Sequence, residues 1–349
     1  MRTSYHKEDV VLLLKDITGL VQPQSTKERE RLIQSGRHYC EMLPIEYVPS
    51  TEYMRVYEET LTHSSAATAN AVGVLSDKII NQRGNDVVLV SLARAGIPVG
   101  ILLKHYIKQK YGIDVMHYSI SIIRGRGIDN NAMKYLLQHH KPQQLLFVDG
   151  WIGKGAILNE LKKEVESYEG VSHELAVLAD PANVTNLCGT HEDILIPSSC
   201  LNSTISGLIS RTFLRDDIIG PDDFHGAVYY GELMQSDLSY SFLHAIEAKF
   251  EMENHESCEQ VAGQGVDEVR KIAKDCGISD INLVKPGIGE TTRVLLRRVP
   301  WKVLIDERYK GCLEMSHIVR LAKEKEVAIE YCRLEHYKCC GIIKKLADA

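Results

Sequence analysis

The interpretation of the first part of this chain depends on one stretch, Gln144-Leu145-Leu146-Phe147-Val148-Asp149-Gly150-Trp151-Ile152-Gly153-Lys154-Gly155-Ala156. It opens as an apolar run that ends in a carboxylate, and three glycines then surround one lysine. The residues that follow, Ile157 to Val165, have apolar side chains at helical spacing. The pattern predicts a strand, a glycine-rich turn and a helix. Backbone N–H groups and a helix N-terminus meet at such a turn, which suits a phosphate at the carboxyl edge of a parallel sheet.

This turn differs from two familiar phosphate loops. A Walker A loop needs Ser or Thr after its lysine, and here Gly155 follows Lys154. A Rossmann fingerprint reads G-x-G-x-x-G, whereas the segment from Gly150 to Gly155 has its glycines in another order. A purely structural strand-to-helix turn, with no ligand, is the alternative.

Composition indicates a protein of about two domains without a membrane span. The chain has 349 residues, an ordinary apolar share of 44%, and no window near the ~20 apolar residues of a membrane helix. Its first residues are too polar for a signal peptide, and nine cysteines without regular spacing favour a reducing compartment. We therefore expect a cytoplasmic protein that binds no membrane, and the sequence is compatible with an oligomer.

The net charge of −6 is unevenly distributed. From Gly263 onward there are 17 Lys+Arg against 13 Asp+Glu, a net charge of +4, and the preceding residues have 24 against 34, a net charge of −10. Only the C-terminal part therefore has the sign that attracts nucleic acid, and its excess is small. We expect no DNA binding and consider structured RNA a partner of the C-terminal part alone.

Two more strand-to-helix turns precede the glycine-rich stretch. Asp86 to Leu92 predicts a buried strand, which Ala93-Arg94-Ala95-Gly96 turns into a helix. Val115 to Ile123 predicts another strand, which ends in Arg124-Gly125-Arg126-Gly127-Ile128-Asp129. Alternating strands and helices predict right-handed crossovers and a parallel sheet with helices on both faces. The arginines of both turns would then meet the Asp149 turn at one edge of the sheet.

In this order, the loops resemble those of the type I phosphoribosyltransferases. A diphosphate loop would span Ser91 to Gly96, a flexible lid Arg124 to Asp129, and a phosphoribosyl loop Asp149 to Ala156. Three segments are more specific: they are Ser35-Gly36-Arg37-His38-Tyr39 with Glu41-Met42-Leu43-Pro44, then Ser91-Leu92-Ala93-Arg94-Ala95-Gly96, and Ile196-Pro197-Ser198-Ser199-Cys200-Leu201-Asn202-Ser203-Thr204-Ile205-Ser206-Gly207-Leu208. They resemble the StiP (stress-induced protein) family, whose members look like phosphoribosyltransferases associated with bacterial tellurite-resistance and stress clusters.

The resemblance implies an α/β fold with a type I phosphoribosyltransferase-like parallel sheet, helices on both of its faces, and a small C-terminal α/β domain. It implies pentosyl transfer to or from a base, with a small phosphoribosyl or nucleotide ligand. Asp149 and Arg94 would be catalytic, and Asp149 would also hold Mg²⁺, which prefers phosphates with one or two carboxylates. The residues implied to bind phosphate and ribose are Ser91, Ala93, Ala95, Gly96, Arg124, Arg126, Gly150, Gly153, Lys154, Gly155 and Ala156.

Further candidate residues lie outside these loops. A base or substrate pocket is predicted to use Arg37, His38, Tyr39, Glu41, Cys200, Asn202, Ser203, Thr204 and His225. One alternative is a cysteine peptidase with Cys200 and His225, a label that StiP-type proteins also carry. Another is a non-catalytic nucleotide sensor, because the Asp149 loop lacks the second acid and the hydroxyls of the transferase loop. Cys200 precedes an apolar pattern at helical spacing, which favours burial over reactivity.

The C-terminal part shows a compact α/β pattern from about Gly265, with a strand predicted at Ile281 to Val284. The run Lys285-Pro286-Gly287-Ile288-Gly289-Glu290-Thr291-Thr292-Arg293 resembles the pelota-type RNA-binding domain. The RNA contacts that it implies are Lys285, Gly287, Gly289, Arg293 and Arg297. A plain α/β interaction domain is the alternative. The expected organisation is a transferase-like domain with an N-terminal arm over 1–250, a linker over 251–264 and a pelota-like domain over 265–349.

Overall fold

The computed structural model describes residues 1–253 and 263–344, so most of the expected linker lies outside the described residues. The strands are β1 (Val11–Leu12), β2 (Lys15–Asp16), β3 (Val88–Leu92), β4 (Met116–Ile120), β5 (Ile122–Ile123), β6 (Gly127–Ile128), β7 (Leu145–Trp151), β8 (Leu175–Ala179), β9 (Cys188–Thr190), β10 (Gly226–Ala227), β11 (Val284–Pro286), β12 (Pro300–Asp306), β13 (Ala328–Cys332) and β14 (Cys339–Ile343). The α-helices are α1 (Thr26–Gln34), α2 (Thr51–Arg83), α3 (Gly96–Tyr111), α4 (Asn130–His139), α5 (Ala156–Val165), α6 (Ser239–Glu247), α7 (Gly265–Asp275), α8 (Ile288–Arg297) and α9 (Ser316–Glu324). In these two ranges, no helix is both long and apolar enough to cross a membrane.

Six strands form a parallel sheet in the order β1-β4-β3-β7-β8-β9. The side chains of β7 alternate between its two faces. Leu146 and Val148 join the apolar core formed with α2, α3 and α6, whereas Leu145 and Phe147 join the core formed with α4 and α5. Because helices cover both faces, the central strands are apolar along most of their length. The predicted parallel α/β sheet with flanking helices is confirmed.

The loops that leave β3 and β7 at their carboxyl ends pack closely against each other. α3 begins at Gly96, where an added Cβ would overlap the carbonyl oxygen of Val148. α5 begins after Gly155, whose φ of +81° lies in the left-handed region that favours glycine. Both glycines belong to predicted phosphate loops, and both are required by the backbone itself.

A second sheet has the order β11-β14-β12-β13, with β14 antiparallel to both neighbours and β13 parallel to β12. The strand predicted at Ile281 to Val284 is a 3-10 turn over Ile281–Leu283 that leads into β11. The sequence pattern did not predict β14, which is buried along its whole length. Its Cys339-Cys340-Gly341 start lacks the β-branched residues by which strands are recognised.

The C-terminal domain is held against the first by α8, which packs on the 3-10 turn Pro197–Cys200 and accepts a hydrogen bond at the Leu296 carbonyl from the Tyr53 hydroxyl of α2. Buried side chains of α8 and α2 belong to one continuous apolar core. The carboxylate of Asp193 accepts hydrogen bonds from the backbone N–H groups of Ile288 and Lys338, each at 2.9 Å. Apolar packing and hydrogen bonds to the backbone therefore both fix the C-terminal domain.

Candidate active site

A histidine and a cysteine two residues apart form a thiol–imidazole pair. His38 and Cys40 lie at a 3-10 turn over Tyr39–Glu41. Nδ1 of His38 is 2.9 Å from Sγ of Cys40 and also accepts a hydrogen bond from the backbone N–H of Cys40 at 3.4 Å. Cys40 is fully buried, and its sulfur is also 3.6 Å from the carbonyl oxygen of Leu214. The partly exposed His38 ring lies against the Tyr39 ring, with 4.4 Å between centroids. A nucleophile within hydrogen-bond distance of a base is the arrangement that thiol catalysis requires.

The predicted lid lies against this pair. Arg126 Nη2 is 2.7 Å from Glu41 Oε1, and the Arg124 N–H donates to the Tyr39 hydroxyl over 3.1 Å. Arg37 Nε is 3.9 Å from Glu41 Oε2. Exposed ion pairs contribute little to stability, so these contacts hold the lid only weakly. The structure thus brings together the residues predicted for the lid and the first half of the substrate pocket.

Burial and charge act on the Cys40 thiol in opposite directions. Burial raises the pKa of Cys40, while the positive charges of Arg126 and Arg211 lower it. Arg211 is fixed beside the turn because its Nη2 donates to the carbonyl oxygens of Tyr39 (2.6 Å) and Met42 (2.9 Å). Burial lowers the pKa of Arg211 to about 10, and its Nε has no hydrogen-bond partner among the described residues. One buried N–H group near the thiol therefore has no partner among the described residues.

The structure does not bring Cys200 and His225 together. Cys200 is fully buried, and its Sγ is 3.6 Å from the hydroxyl of Thr60. Burial raises the pKa of its thiol. His225 is bonded elsewhere, since its Nδ1 is 2.8 Å from the hydroxyl of Ser121 and its backbone N–H donates to Asp129. The predicted burial of Cys200 is confirmed, and its pairing with His225 is not found.

The segment after Cys200 is not the helix that its apolar spacing predicted. A single 3-10 turn, Ser203–Ile205, is followed by Gly207 at φ +73° and Leu208 at φ +56°. Two successive left-handed residues are incompatible with a right-handed helix. The apolar side chains are still buried. The apolar spacing therefore predicted the burial of these side chains correctly and a helical backbone incorrectly.

Cys188 lies near another histidine, with a different geometry. Its Sγ is 3.4 Å from Nε2 and 3.8 Å from Nδ1 of His191. Nδ1 of His191 also lies 3.1 Å from the carbonyl oxygen of Asp180. With Nδ1 bonded to that oxygen, Nε2 is the ring nitrogen that can accept a proton from the Cys188 thiol. Cys188 and His191 therefore form a second thiol–imidazole pair, with a longer separation than that of Cys40 and His38.

The residues of the predicted diphosphate loop are placed differently from one another. The Ser91 hydroxyl donates to the carbonyl oxygen of Gly96 (2.9 Å) and is 2.7 Å from Nε2 of His117, so it is buried in the core and unavailable to a ligand. Arg94 extends away from the sheet, and its Nη2 donates to Oδ1 of Asn202 over 3.1 Å. Ala93 is partly exposed and Ala95 is exposed. Arg94 thus meets the Asn202-Ser203-Thr204 turn, as the predicted pocket required, whereas Ser91 does not.

The glycine-rich turn from Gly150 to Ala156 is covered by the C-terminal domain. Lys154 Nζ donates to two carbonyl oxygens of the 281–284 segment, at 2.8 and 3.0 Å. The Tyr337 hydroxyl donates to the carbonyl oxygen of Gly153 over 2.7 Å. Burial lowers the pKa of Lys154 to about 8. The lysine expected to hold a phosphate is therefore committed to the contact between the domains.

Asp149 is a partly buried carboxyl at the end of β7, with one hydrogen bond from the Gly150 N–H at 2.8 Å. Burial raises the pKa of Asp149 to about 7, although the Gly150 bond and the charge of Arg293 act in the opposite direction. In the described ranges, no three His, Cys, Asp or Glu side chains are placed to hold a metal ion. The Mg²⁺ site that the resemblance implies at Asp149 stays a prediction, and we assign no step to a metal.

Replacing Asp149 with asparagine is expected to stabilise the protein at pH 8 and to change little at pH 4. With a pKa of about 7 in the folded protein and an ordinary value of 3.8, this carboxyl binds more protons in the folded than in the unfolded state between those two pH values. Stability therefore falls as the pH rises through that window. The gain from Asp149→Asn at pH 8 should be roughly 1–3 kcal/mol in urea unfolding. An equal gain at pH 4 would contradict the assigned pKa.

The residues predicted to contact RNA lie on the side of the C-terminal domain that faces the first domain; they are Lys285, Gly287, Gly289, Arg293 and Arg297. Arg297 donates from Nη1 to Oδ1 of Asn202 (2.6 Å) and from Nη2 to the carbonyl oxygen of Cys200 (2.9 Å). The Arg293 guanidinium is 5.9 Å from the centre of the Trp151 ring. Both glycines approach side chains of the first domain. α8 packs on the 3-10 turn Pro197–Cys200 of the first domain, so this surface faces protein and is not open to RNA in this arrangement.

Comparisons with known proteins identify the family. Residues 3–247 match the family model described as "Tellurite-like stress resistance cysteine protease StiP". The chain belongs to the StiP family. A "Cysteine protease StiP" from Acinetobacter baylyi (strain ATCC 33305 / BD413 / ADP1) is 35% identical over 366 residues, which cover 98% of this chain and 94% of the relative. Residues 263–345 match the model "PELOTA RNA binding domain". Both resemblances inferred from the sequence are confirmed.

Solved structures similar to this member of the StiP family include two hypoxanthine-guanine phosphoribosyltransferases. One, from Bacillus anthracis str. 'Ames Ancestor', is 17% identical, covers 41% of this chain and 75% of its own, and has a TM-score of 0.24. The other, from Leishmania tarentolae in complex with GMP, is 14% identical, covers 39% of this chain and 75% of its own, and has a TM-score of 0.27. A likeness of this extent indicates no activity.

The expectation of phosphoribosyl transfer is wrong. The family and the Acinetobacter relative are both named as a cysteine protease, which is a hydrolase and not a transferase. The finding supports the peptidase alternative. The structure offers a physical reason for the error, because Ser91 is buried and Lys154 is bonded to the C-terminal domain.

The sequence pattern does not single out Cys40 or Arg211. Cys40 lies among the predicted pocket residues His38, Tyr39 and Glu41. The available signal was a cysteine two residues from a histidine in a polar segment without regular period. No local signal points to Arg211, since it reaches Tyr39 across 172 residues of chain.

Proposed function

We propose that this chain is a cysteine peptidase in which Cys40 is the nucleophile and His38 is the general base. The observation that carries the proposal is the 2.9 Å separation between Sγ of Cys40 and Nδ1 of His38. The names of the family and of the Acinetobacter relative support the reaction class. The Cys188 sulfur is 3.4 Å from Nε2 of His191, a longer separation, and the Cys200 sulfur lies against the Thr60 hydroxyl, which supports the choice of Cys40.

The reaction proceeds through an acyl-enzyme. His38 takes the thiol proton, and the Cys40 sulfur attacks the peptide carbonyl carbon to give a tetrahedral oxyanion. When the C–N bond breaks, His38 gives that proton to the departing amine and a thioester remains on Cys40. His38 then takes a proton from water, the hydroxide attacks the thioester, and the carboxylic acid leaves as the sulfur regains its proton.

Arg211 supplies charge near the reacting atoms. Its guanidinium is held by the carbonyl oxygens of Tyr39 and Met42, and its Nε is without a partner in the described residues. A fixed cation with a free N–H can stabilise an oxyanion without reorganising during the reaction. The positive charge of Arg211 also lowers the pKa of Cys40, whereas burial raises it.

Substrate must open the site before it can react. Cys40 is fully buried, and the loop that contains Arg124 and Arg126 is bonded to the turn that carries it. These contacts are partly exposed and weak, so a bound peptide can displace them. The test is a peptidase assay on the full chain and on Cys40→Ser.

We also infer a finer fold assignment, which concerns architecture and not activity. The order of loops after β3, β4 and β7 supports a type I phosphoribosyltransferase-like arrangement of the first domain. The match of residues 263–345 supports a pelota-like arrangement of the second.

We propose RNA binding as a second function, carried by that match to the PELOTA RNA binding domain model. The proposed contacts are Lys285, Gly287, Gly289, Arg293 and Arg297. These residues face the first domain. There, the Asp193 carboxylate accepts hydrogen bonds from the backbone N–H groups of Ile288, at the start of α8, and of Lys338. RNA therefore competes with the contact between the domains, and weakening that contact favours RNA.

Replacing Asp193 with alanine is expected to tighten RNA binding by the full chain roughly three- to tenfold, because it removes two hydrogen bonds that keep the domains together. The measurement is fluorescence anisotropy of a labelled RNA hairpin. Affinity should also fall steeply between about 50 and 200 mM salt. Asp275→Ala, at an exposed acid at the end of α7, is the control for loss of one negative charge. Equal affinity gains in both variants would show a charge effect and contradict the competition.

A further inference from the structure

The Tyr39 ring lies between the proposed base and the cation beside it. The centroids of the Tyr39 and His38 rings are 4.4 Å apart, and the two ring planes are inclined by 36°. On the Tyr39 ring, the guanidinium carbon of Arg211 is 5.5 Å from the centroid, and Nη2 of Arg211 donates to the Tyr39 carbonyl oxygen at 2.6 Å. Aromatic packing and cation–π contact each favour particular relative orientations. The ring therefore fixes where the imidazole and the guanidinium stand relative to Cys40.

The hydroxyl of Tyr39 has a separate partner in the lid. It accepts a hydrogen bond from the backbone N–H of Arg124 at 3.1 Å. A Cβ added to Gly125, the next residue, would be 3.8 Å from Nε2 of His38, so the lid backbone lies over the base. The nucleophile Cys40 is fully buried in this arrangement. The hydroxyl thus holds the lid in the position that covers the thiol–imidazole pair.

The lid is also bonded to the C-terminal domain. Nη1 of Arg124 donates to Oδ1 of Asn282 at 2.9 Å, so one arginine joins Tyr39 to the second domain. Two further hydrogen bonds hold the lid to the first domain, from Gly125 to Glu160 (2.9 Å) and from Arg126 to Glu41 (2.7 Å). Loss of any one of these bonds therefore shifts the lid toward an open state without releasing it completely.

We propose that Tyr39 is a positioning residue with two separable roles. Its ring orients the base His38 and the cation Arg211, and its hydroxyl holds the lid over the site. The inference rests on the proposed peptidase function. The ring affects the chemical step, because a misplaced base or cation slows the reaction of bound substrate. The hydroxyl affects substrate entry, because only chains with an open lid bind a peptide.

Two substitutions of this one tyrosine separate the roles in a peptidase assay of the full chain. Tyr39→Phe keeps the ring and loses the bond to the lid, so it should lower KM roughly three- to tenfold and change kcat by less than about twofold. Tyr39→Leu loses both, so its kcat should be at least about tenfold below that of Tyr39→Phe. Asn282→Ala frees the other end of Arg124 and should lower KM as Tyr39→Phe does. Tyr47 is 69% exposed, and the matched controls Tyr47→Phe and Tyr47→Leu should change neither constant.

Alkylation of Cys40 by iodoacetamide, followed by peptide mass mapping, tests the same roles without peptidase activity. Tyr39→Phe and Asn282→Ala should be alkylated roughly three- to tenfold faster than the wild-type chain, because the reagent reaches the buried thiol only when the lid opens. Tyr39→Leu should be alkylated at least about tenfold more slowly than Tyr39→Phe, because a poorly oriented His38 forms less thiolate. Tyr39→Met replaces Tyr39→Leu if circular dichroism shows that the leucine variant is unfolded.

The two measurements distinguish failure of this inference from failure of the peptidase function. The expected alkylation rates in a chain that cleaves no peptide would reject the peptidase function and support the two roles of Tyr39. Alkylation of Tyr39→Phe at the wild-type rate would overturn the role of the hydroxyl. Equal kcat values and equal alkylation rates in Tyr39→Phe and Tyr39→Leu would overturn the role of the ring.

Discussion

Cys40→Ser is expected to lower the kcat for peptide hydrolysis by the full chain at least about a thousandfold, because a serine hydroxyl beside the same base is a far weaker nucleophile than a thiolate. Serine is close to cysteine in size and can donate a hydrogen bond to Nδ1 of His38, so the fold should be retained. His38→Gln should lower kcat by about 10²- to 10⁴-fold, the usual contribution of a general base. Casein and a peptide library serve as substrates.

The matched controls are Cys200→Ser and Cys188→Ser. Both cysteines are fully buried; the Cys200 sulfur is 3.6 Å from the Thr60 hydroxyl, and the Cys188 sulfur is 3.4 Å from Nε2 of His191, farther than Cys40 is from His38. Neither change should alter kcat by more than about threefold, apart from a loss of stability that circular dichroism would reveal. Activity that survives Cys40→Ser and disappears in Cys200→Ser would move the nucleophile to Cys200. A wild-type chain that cleaves no peptide would end the peptidase proposal.

Gly96→Ala is expected to destabilise the first domain by roughly 2–4 kcal/mol, because overpacking against backbone cannot be relieved by a side-chain rotation. The added Cβ would overlap the carbonyl oxygen of Val148. That oxygen belongs to β7, which is held between β3 and β8 and cannot move aside without disrupting the sheet. Urea unfolding followed by circular dichroism gives the change in free energy of unfolding.

Gly153→Ala is the control for this prediction. Gly153 lies in the glycine-rich turn at the same edge of the sheet, and within the described parts of the chain no atom lies within 4 Å of a Cβ added there. Its carbonyl oxygen can still accept the bond from Tyr337. The change should cost less than about 1 kcal/mol. If both alanine variants are equally stable, close approach of α3 to β7 is not what requires glycine at position 96.

The glycine-rich turns also explain why the sequence suggested a transferase. Gly96 is needed for close approach to β7, and Gly155 is needed for a left-handed residue before α5. A glycine required by the backbone and a glycine required by a phosphate look identical in a sequence. The structure distinguishes a glycine required by the backbone from a glycine required by a phosphate only because it shows that Lys154 and Gly153 contact the C-terminal domain.

The parallel sheet was predictable because its signals are local. β3 and β7 are short apolar runs bounded by turns, and their length and composition suffice to place them in a sheet with both faces covered. β14 was missed because Cys339, Cys340 and Gly341 carry no such signal, and its place between β11 and β12 depends on pairing with distant strands. The StiP family could also be recognised from the sequence, because its motifs are contiguous segments.

The sequence by itself determined the order of strands and helices, the burial of Cys200 and the membership of the StiP family, since each depends on neighbouring residues. Only the tertiary structure decided which groups meet. Arg211 reaches Tyr39 across 172 residues, and Arg94 and Arg297 share Asn202 across 108 and 95 residues. Chain folding sets such contacts through the packing of whole helices and sheets. No local sequence pattern predicts these long-range contacts. The thiol–imidazole site and the two arginines on Asn202 could therefore be found only in the structure.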